Sequence, residues 1–370
     1  MLSLFPLLAQ GTESAAMPHD VYTAGETPVV ELPSWIPAGV DPNSNDDWIE
    51  LTSGEVLRGE IKRMYDEDLI FNSDKLGDLT LDWDDIRQVY SKRPLSMRLN
   101  NRTTITGNVS LKDNNVVITE ANGTELVYSR EEVVSLVTAK DSELKRWNFE
   151  VSLGVDIQSG NTNEVSYSAS VDIKRRTALT RFSIDYLGNY SKNDGVENSN
   201  NHRASSYFDY FWDKDLFFRP VFIQYYRDPF QNLDFQGLIG LGAGYQIVKD
   251  SDFEWDVVAG PGFQYNIYNN VQPGENKSDS SPAGMLTTTF SYDVTDDVTL
   301  KGNYQFIVTD KSSGLFTTNF TTTLSYEIND IFDINTSLIW NRIQNPTPNA
   351  NGTLPKRNDL NLILGLGISY

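Results

Sequence analysis

The sequence predicts an all-β protein: an antiparallel transmembrane β-barrel of about twelve strands, preceded by a small two-repeat β domain. Three observations lead to this prediction. The last residues form one clear amphipathic strand, residues 147–370 divide into segments that alternate apolar and polar residues, and residues 47–140 contain an internal duplication. A period of two gives a strand two faces of opposite character, as expected of a sheet between two environments.

The final strand carries the plainest signal. Every second residue from Leu360 to Tyr370 is apolar, whereas the residues between them are mostly small or polar. In a membrane barrel the apolar face points to lipid and the small polar face lines the lumen. A strand of this kind that ends on an aromatic residue resembles those of Gram-negative outer-membrane barrels. The resemblance implies a signal for the barrel assembly machinery at Leu362, Leu364, Leu366, Ile368 and Tyr370.

The preceding segments complete the predicted barrel. We predict strands near 147–159, 164–176, 178–191, 202–213, 216–228, 235–248, 253–268, 283–294, 297–310, 314–327, 331–344 and 358–370. The even connections are tight, whereas the third (SKNDGVENSNN), fifth, seventh and eleventh are longer. Outer-membrane barrels have short periplasmic turns and longer external loops, so the even connections are expected in the periplasm. The segment LFFRPVFIQYY is apolar on both sides, and its faces cannot be assigned from the pattern.

The region before the barrel divides into three parts. Residues 1–16 resemble a secretory signal peptide because they contain a short apolar stretch. No basic residue precedes this stretch, so the signal peptide is predicted to be truncated. Residues 17–46 have no periodicity and are rich in Pro, Gly, Ser and acidic residues, which predicts a disordered linker. Residues 47–140 are predicted to form a periplasmic tandem-repeat domain.

The duplication within 47–140 is visible residue by residue. The first copy aligns with the second so that Leu51, Gly59 and Ile61 fall opposite Leu99, Gly107 and Val109. Each copy contains short alternating strands between Gly, Asn and Asp turns, which favours small SH3-like β modules. One copy is too small to bury much apolar surface alone, so the two copies are expected to share a core.

The composition excludes several kinds of protein. No run reaches the ~18 apolar residues that a spanning helix needs, so any membrane crossing must use strands. The chain has no cysteine, which excludes disulfides, thiolate metal sites and cysteine nucleophiles. Its net charge of −21 argues against a nucleic-acid partner. No motif predicts a cofactor or a metal site.

Charged residues on the polar faces of the predicted strands are the candidate site. They are Glu150, Asp156, Asp172, Lys174, Arg181, Asp185, Asp209, Asp256 and Lys301. One interpretation is a set of paired side chains that plug a narrow barrel, because charges in a low-dielectric lumen must pair. The other is a hydrated, acid-lined conduit that favours cations. The strand number does not decide between them.

A non-enzymatic envelope protein is therefore expected, either structural and stress-related or a narrow cation-preferring diffusion channel. Two alternatives stay open. An outer-membrane hydrolase would need a Ser–His pair, and His202 with Ser199, Ser205 and Ser206 nearby is the candidate group. A soluble β-sandwich that binds a partner would use the same alternation to pack two sheets together.

One stretch resembles a known family. WNFEVSLGVDIQSGNTNEVSYSASVDIKRR, with its SGNT turn at 159–162, resembles the salt-induced outer-membrane proteins, domain of unknown function family 481, over roughly 147–370. The resemblance implies outer-membrane placement and a link to salt or envelope stress, but no agreed activity or functional residues. The expected partners are membrane lipid, lipopolysaccharide and the assembly machinery, with a periplasmic partner or peptidoglycan for residues 47–140.

Overall fold

The computed structural model describes residues 32–65, 67–138, 146–158, 163–177, 179–249, 252–295, 297–329 and 331–369. The predicted signal peptide, the predicted linker up to residue 31 and Tyr370 lie outside the described residues. Within the described part of the chain, no helix is long and apolar enough to cross a membrane. Residues 32–44 belong to a separate unit with backbone turns, such as the one in which Ile36 N–H donates to the Pro33 carbonyl at 3.0 Å.

Ten strands make up the N-terminal β domain, five from each copy of the duplication. Copy 1 contributes β1 (Asp47–Leu51), β2 (Val56–Tyr65), β3 (Asp68–Ser73), β4 (Gly77–Asp82) and β5 (Ile86–Tyr90). Copy 2 contributes β6 (Leu95–Leu99), β7 (Thr104–Lys112), β8 (Asn115–Thr119), β9 (Glu125–Ser129) and β10 (Val133–Thr138). A 3-10 turn, Arg130–Glu132, leads into β10.

The two copies interlock into a single closed unit, which we call the β ring. The pairing order β1–β5–β7–β6–β10–β2 returns to β1, while β3–β4 extend from β2 and β8–β9 extend from β7. The last strand of each copy pairs with the second strand of the other copy, β5 with β7 and β10 with β2. The SH3-like modules suggested by the repeat are therefore merged into one ring with a pseudo-two-fold relation.

The β ring has one apolar core that both copies fill. Ile61 and Phe71 of copy 1 and Leu95 and Ile118 of copy 2 are all fully buried in it. The aligned glycines of the two copies mark close approaches of neighbouring strands. A Cβ on Gly59 would meet the Asn72 carbonyl oxygen at 2.0 Å, and one on Gly107 would meet the Thr119 carbonyl oxygen at 2.4 Å. The repeat thus preserves a packing requirement of the strands as well as the apolar pattern.

The remaining strands form a closed antiparallel barrel, as the sequence predicts. They are β11 (Trp147–Gln158), β12 (Glu164–Arg176), β13 (Thr180–Asn193), β14 (Val196–Phe211), β15 (Leu216–Asp228), β16 (Leu233–Lys249), β17 (Phe253–Tyr268), β18 (Ser278–Thr295), β19 (Val298–Val308), β20 (Phe316–Asn329), β21 (Phe332–Ile343) and β22 (Asn358–Ser369). Each strand pairs with the next, and β11 pairs with β22. The closed ring of strands contradicts the two-sheet sandwich alternative.

The ladders differ in length. The β17–β18 ladder runs from Phe253 to Ile267 on β17. The described β11–β22 ladder, which closes the barrel, runs only from Glu150 to Leu153 on β11.

The connections differ between the two ends of the barrel. The even connections span 177–179, 212–215, 250–252, 296–297 and 330–331, whereas the seventh, ninth and eleventh span 269–277, 309–315 and 344–357. The prediction of a long third connection is wrong, because β13 and β14 extend through that polar sequence to a turn at Asp194 and Gly195. Both residues have positive φ, 45° and 84°, as a type I′ hairpin turn requires. The fifth connection, 229–232, is also short.

Candidate functional site

The lumen of the barrel is the candidate site, and the strand pattern decides which residues enter it. On β16 the residues Ile239, Leu241 and Tyr245 are more than half exposed on the outer face, whereas Leu238 and Gln246, on either side of them in sequence, are buried. On β22 the residues Leu360, Leu362, Leu364, Leu366 and Ile368 are all exposed outward. The inward residues therefore line the lumen, as the alternation predicts. Along the barrel axis they form a charged layer, an apolar layer and a level crossed by one arginine.

The first layer, nearest the even connections, is a cluster of paired charges. Asp209 on β14 accepts hydrogen bonds from Arg219 Nε at 2.7 Å and Arg219 Nη2 at 3.0 Å. Arg181 Nη2 lies 2.9 Å from the Asp209 carboxylate, and Arg181 Nη1 lies 2.6 Å from Asp256 Oδ2. The Arg219 guanidinium also stacks on Tyr207, 3.7 Å from the ring centroid. Because these buried charges satisfy one another, this side of the lumen is plugged by an ion-pair network.

The opposite side of the first layer is open. Lys301 Nζ on β19 lies 2.7 Å from Glu150 Oε2 on β11, although three strands separate them around the wall. The Lys301 side chain is still 48% exposed, and the inward-facing Thr289 and Asn303 near it are exposed as well. We call this water-accessible region, lined by Thr289, Lys301 and Asn303, the vestibule. It opens toward the even connections.

The other candidate residues lie on the same polar face. Asp172 and Asp185 are directly paired across β12 and β13, and Ser183 Oγ donates to the Asp185 carboxylate at 3.4 Å. Lys174 is the next inward residue after Asp172 and is exposed. Asp156 follows Glu150 on the same face of β11, but its side chain lies outside the described residues.

The second layer is apolar and lies deeper in the lumen. Phe222, Leu238, Ala283 and Ile307 pack together, with Tyr207 and Met285 against them. Glycine makes room for this packing, since a Cβ on Gly240 would meet the Met285 methyl group at 2.4 Å. An apolar cluster of this kind disfavours water and ions in the part of the lumen that it fills.

A single arginine crosses the lumen above the apolar layer. Arg203 on β14 donates from Nη2 to Asn319 Oδ1 on β20 at 2.7 Å and to Asn341 Oδ1 on β21 at 2.8 Å. These strands stand on the opposite wall of the barrel. The guanidinium also lies 4.9 Å from the Tyr226 ring centroid. We call this contact the Arg203 bridge, and it divides the lumen at this level.

The odd connections close the other mouth of the barrel. The Asn232 side-chain amide donates to the Asn270 carbonyl at 2.7 Å and to the Pro348 carbonyl at 3.0 Å, which ties three connections together. Below them, Gln264 Nε2 donates to the Ser313 carbonyl at 3.0 Å. The cavity beneath these contacts measures about 10 Å³, which is room for one water molecule.

His202 does not form the Ser–His pair of the hydrolase alternative. Its Nδ1 lies 2.9 Å from the Tyr186 hydroxyl and its Nε2 lies 3.0 Å from Asn200 Oδ1, so both ring nitrogens already have partners. Ser205 faces the lumen, where its hydroxyl accepts a hydrogen bond from Gln224 at 3.2 Å. No nucleophile–base pair involving His202 is present among the described residues.

Two arginines of the lumen, Arg203 and Arg219, are not among the candidate residues predicted from the sequence. Arg219 lies in the segment whose faces could not be assigned, and a register shift between Arg219 and Phe222 breaks the period there. Arg203 could have been found, because it lies three alternations before Asp209 on the same face of β14. Its partners across the lumen, Asn319 and Asn341, could be identified only from the structure.

Comparison with known proteins gives a family and a general likeness. The family model described as "Protein of unknown function, DUF481" matches residues 151–370. No curated protein matches the chain. Among solved structures, the NanC porin is 8% identical, with a TM-score of 0.37 over 60% of this chain and 98% of the porin. The translocator domain of the autotransporter NalP from Neisseria meningitidis is 10% identical, with a TM-score of 0.34 over 60% of this chain and 87% of that domain.

An outer-membrane channel from Pseudomonas putida F1 is 11% identical, with a TM-score of 0.33 over 60% of this chain and 94% of that channel.

Proposed function

Since the chain belongs to the DUF481 family, whose function is unknown, we propose from its geometry that it is a narrow outer-membrane channel closed by its own lumen side chains. The Arg203 bridge carries this proposal. A purely structural barrel can fill its lumen with ordinary packed side chains, as small barrels do. Here the lumen keeps an open vestibule that ends at an apolar constriction, with one removable cationic side chain beyond it.

Membrane placement is supported by the outer surface. A closed barrel has no free edge, and its outer face is a continuous band of exposed apolar residues such as Ile239, Leu324 and Leu364. Such a band suits lipid and is unfavourable in water. We propose the outer membrane, with lipid and lipopolysaccharide around the barrel and the even connections in the periplasm. Recovery of the protein in the soluble fraction of lysed cells would contradict this placement.

The β ring and the terminal strand have proposed partners of their own. The exposed residues from Leu362 to Ile368 would be presented to the barrel assembly machinery, and the β ring would meet a periplasmic partner or peptidoglycan. A link to salt or envelope stress remains a prediction from the family resemblance.

A cation preference is proposed on narrower grounds than the sequence suggested. Glu150, Asp209 and Asp256 are neutralised by basic partners. The facing pair Asp172 and Asp185, two carboxylates beside the single ammonium group of Lys174, would therefore supply most of the preference.

The test is conductance of the full chain, refolded in detergent, in planar bilayers. We expect rare small steps for the wild type and larger or more frequent steps for Arg203→Ala, because that variant removes the bridge. Arg227→Ala is the matched control, since Arg227 lies beside this level of β15 but faces outward. A salt gradient should give a cation-selective reversal potential that Asp172→Asn reduces.

The opposite results would leave a structural barrel as the better account. If Arg203→Ala and the double variant Arg203→Ala, Phe222→Ser both fail to conduct, the channel proposal is wrong. Equal steps for Arg203→Ala and Arg227→Ala would show that the bridge does not close the lumen.

A further inference from the structure

Two turns of the β ring have an unusual backbone. Glu67, between β2 and β3, has φ of 70°, and Arg102, between β6 and β7, has φ of 69°. This left-handed region is unfavourable for residues with a long side chain, whereas Gly, Asn and Asp tolerate it. The other described β-ring residues with positive φ are Gly, Asn or Asp.

The same two residues contact the barrel. The Arg102 guanidinium stacks on Trp212 at 3.4 Å from the ring centroid, and its Nε donates to the Trp212 carbonyl at 3.2 Å. The Glu67 carboxylate forms an ion pair with the Lys214 ammonium group. Trp212 and Lys214 both belong to the even connection 212–215. The strained turns and the barrel contacts therefore coincide.

The duplication shows that the fold of the ring does not require these side chains. Copy 1 has Gly54, with φ of 95°, at the position of Arg102. Both turns close in the same way, with Gly54 N–H donating to the Leu51 carbonyl at 2.9 Å and Arg102 N–H donating to the Leu99 carbonyl at 2.8 Å. Glu67 is the last residue before β3, and the last residue before β8 in copy 2 is Asn114, with φ of 65°. The register shift in β2 after Ile61 accounts for the one-residue change in alignment. Each copy has a tolerant residue where the other has a strained residue that contacts the barrel.

We propose that the turns bearing Glu67 and Arg102 form a built docking surface for the barrel connection 212–215. This surface fixes the β ring at the end of the barrel where the vestibule opens. An exposed ion pair alone contributes little to holding two units together. The stacked arginine contributes more, because it combines a cation–π contact with a hydrogen bond to a main-chain carbonyl. The proposal does not depend on whether the lumen conducts.

The test uses the absence of cysteine in the chain. In the full chain in detergent, Glu67→Cys with Lys214→Cys should be joined efficiently by a short bifunctional thiol reagent. Asn114→Cys with Lys214→Cys is the matched control, since the pseudo-two-fold relation carries Asn114 away from the docking surface. We expect little intramolecular product from this control. Similar yields from the two pairs would overturn the proposal.

A third substitution separates docking from folding. Adding Arg102→Gly to the Glu67→Cys, Lys214→Cys chain restores the residue that copy 1 has at this turn. We expect the yield to fall about fivefold or more, because the cation–π contact is lost. Thermal unfolding of the ring should occur at the same or a higher temperature, because the strain is relieved. An unchanged yield, or a less stable ring, would contradict the proposal.

Discussion

The β ring and the barrel are both closed antiparallel rings of strands, but apolar side chains fill the centre of the ring and cover the outside of the barrel. In the β ring, residues such as Phe71 and Ile61 are fully buried in an apolar centre. In the barrel, many apolar residues, such as Leu362 at 70% exposure, face outward, and the first lumen layer contains charged pairs. The same period of two therefore gives an apolar centre in the ring and an apolar outer surface on the barrel.

The comparison teaches that alternation fixes which residues share a face but not which face is buried. The two units differ in the residues at their inward positions. The inward positions of β16 and β17 include Gly242, Gln246, Gly260 and Gln264, which could not form an apolar core. The inward positions of β2 and β3 include Ile61, Met64, Leu69 and Phe71, which form an apolar core.

The largest expected effect comes from the centre of the β ring. Phe71→Ala should lower the free energy of unfolding of the ring by about 3–5 kcal/mol, because it leaves a cavity in a packed core. Leu324→Ala on the outer face of the barrel should change little, because lipid or detergent fills the space. Urea titration in detergent, followed by tryptophan fluorescence, measures the ring through its buried Trp48 and Trp83. A similar loss of unfolding free energy in the two variants would contradict the difference between the ring and the barrel.

A charge introduced on the outer face of a barrel strand should destabilise the barrel more than the same charge on its inner face. Leu324 points outward from the middle of β20, and its neighbour Thr323 points inward, where its hydroxyl lies 2.8 Å from Ser337 Oγ. Leu324→Arg should destabilise the barrel in lipid by about 2–4 kcal/mol, whereas Thr323→Arg should cost much less. Unfolding midpoints in lipid vesicles measure both. The reverse order would mean that the faces are assigned the wrong way round.

The smallest effect concerns the charge that the β ring buries. Asp47 has no exposed surface and accepts hydrogen bonds from Ile61 N–H at 2.9 Å, Arg93 Nη2 at 2.8 Å and Lys92 N–H at 2.8 Å. Burial raises the pKa of the Asp47 carboxyl, and these donors offset part of the rise. A raised folded-state pKa means that the stabilising contribution is present at low pH and is lost as pH rises through that pKa.

The Asp47→Asn variant isolates this titration. From about pH 3 to about pH 8, the wild-type ring should lose stability relative to the variant as the carboxyl ionises. Urea midpoints across this range measure the difference, and parallel curves for the two proteins would contradict the raised pKa.

Much of the fold could be predicted from the sequence because the barrel strands are long and regular. The alternation on β17, β20 and β22 predicts their strands with small errors at the ends. The polar stretch around Asp194 and Gly195 misleads because loops and projecting hairpins have the same composition. The type I′ signal of the Asp-Gly pair was the available clue.

The lumen was less predictable because its contacts join distant strands. The pairing of Arg181 with Asp256 and of Glu150 with Lys301 depends on how far the barrel wall curves, which no local pattern specifies. The interlocking of the β ring has the same origin. The repeat indicated a shared core, but the exchange of β5 and β10 between the copies is a matter of topology.

The short ladder between β11 and β22 has a mechanical consequence. It has the fewest paired residues of any joint in the described barrel, so a pulling force or a denaturant should separate the cylinder there first and leave an open twelve-strand sheet. In the β ring the two copies are joined by both β5–β7 and β10–β2, so separating the copies must break both ladders.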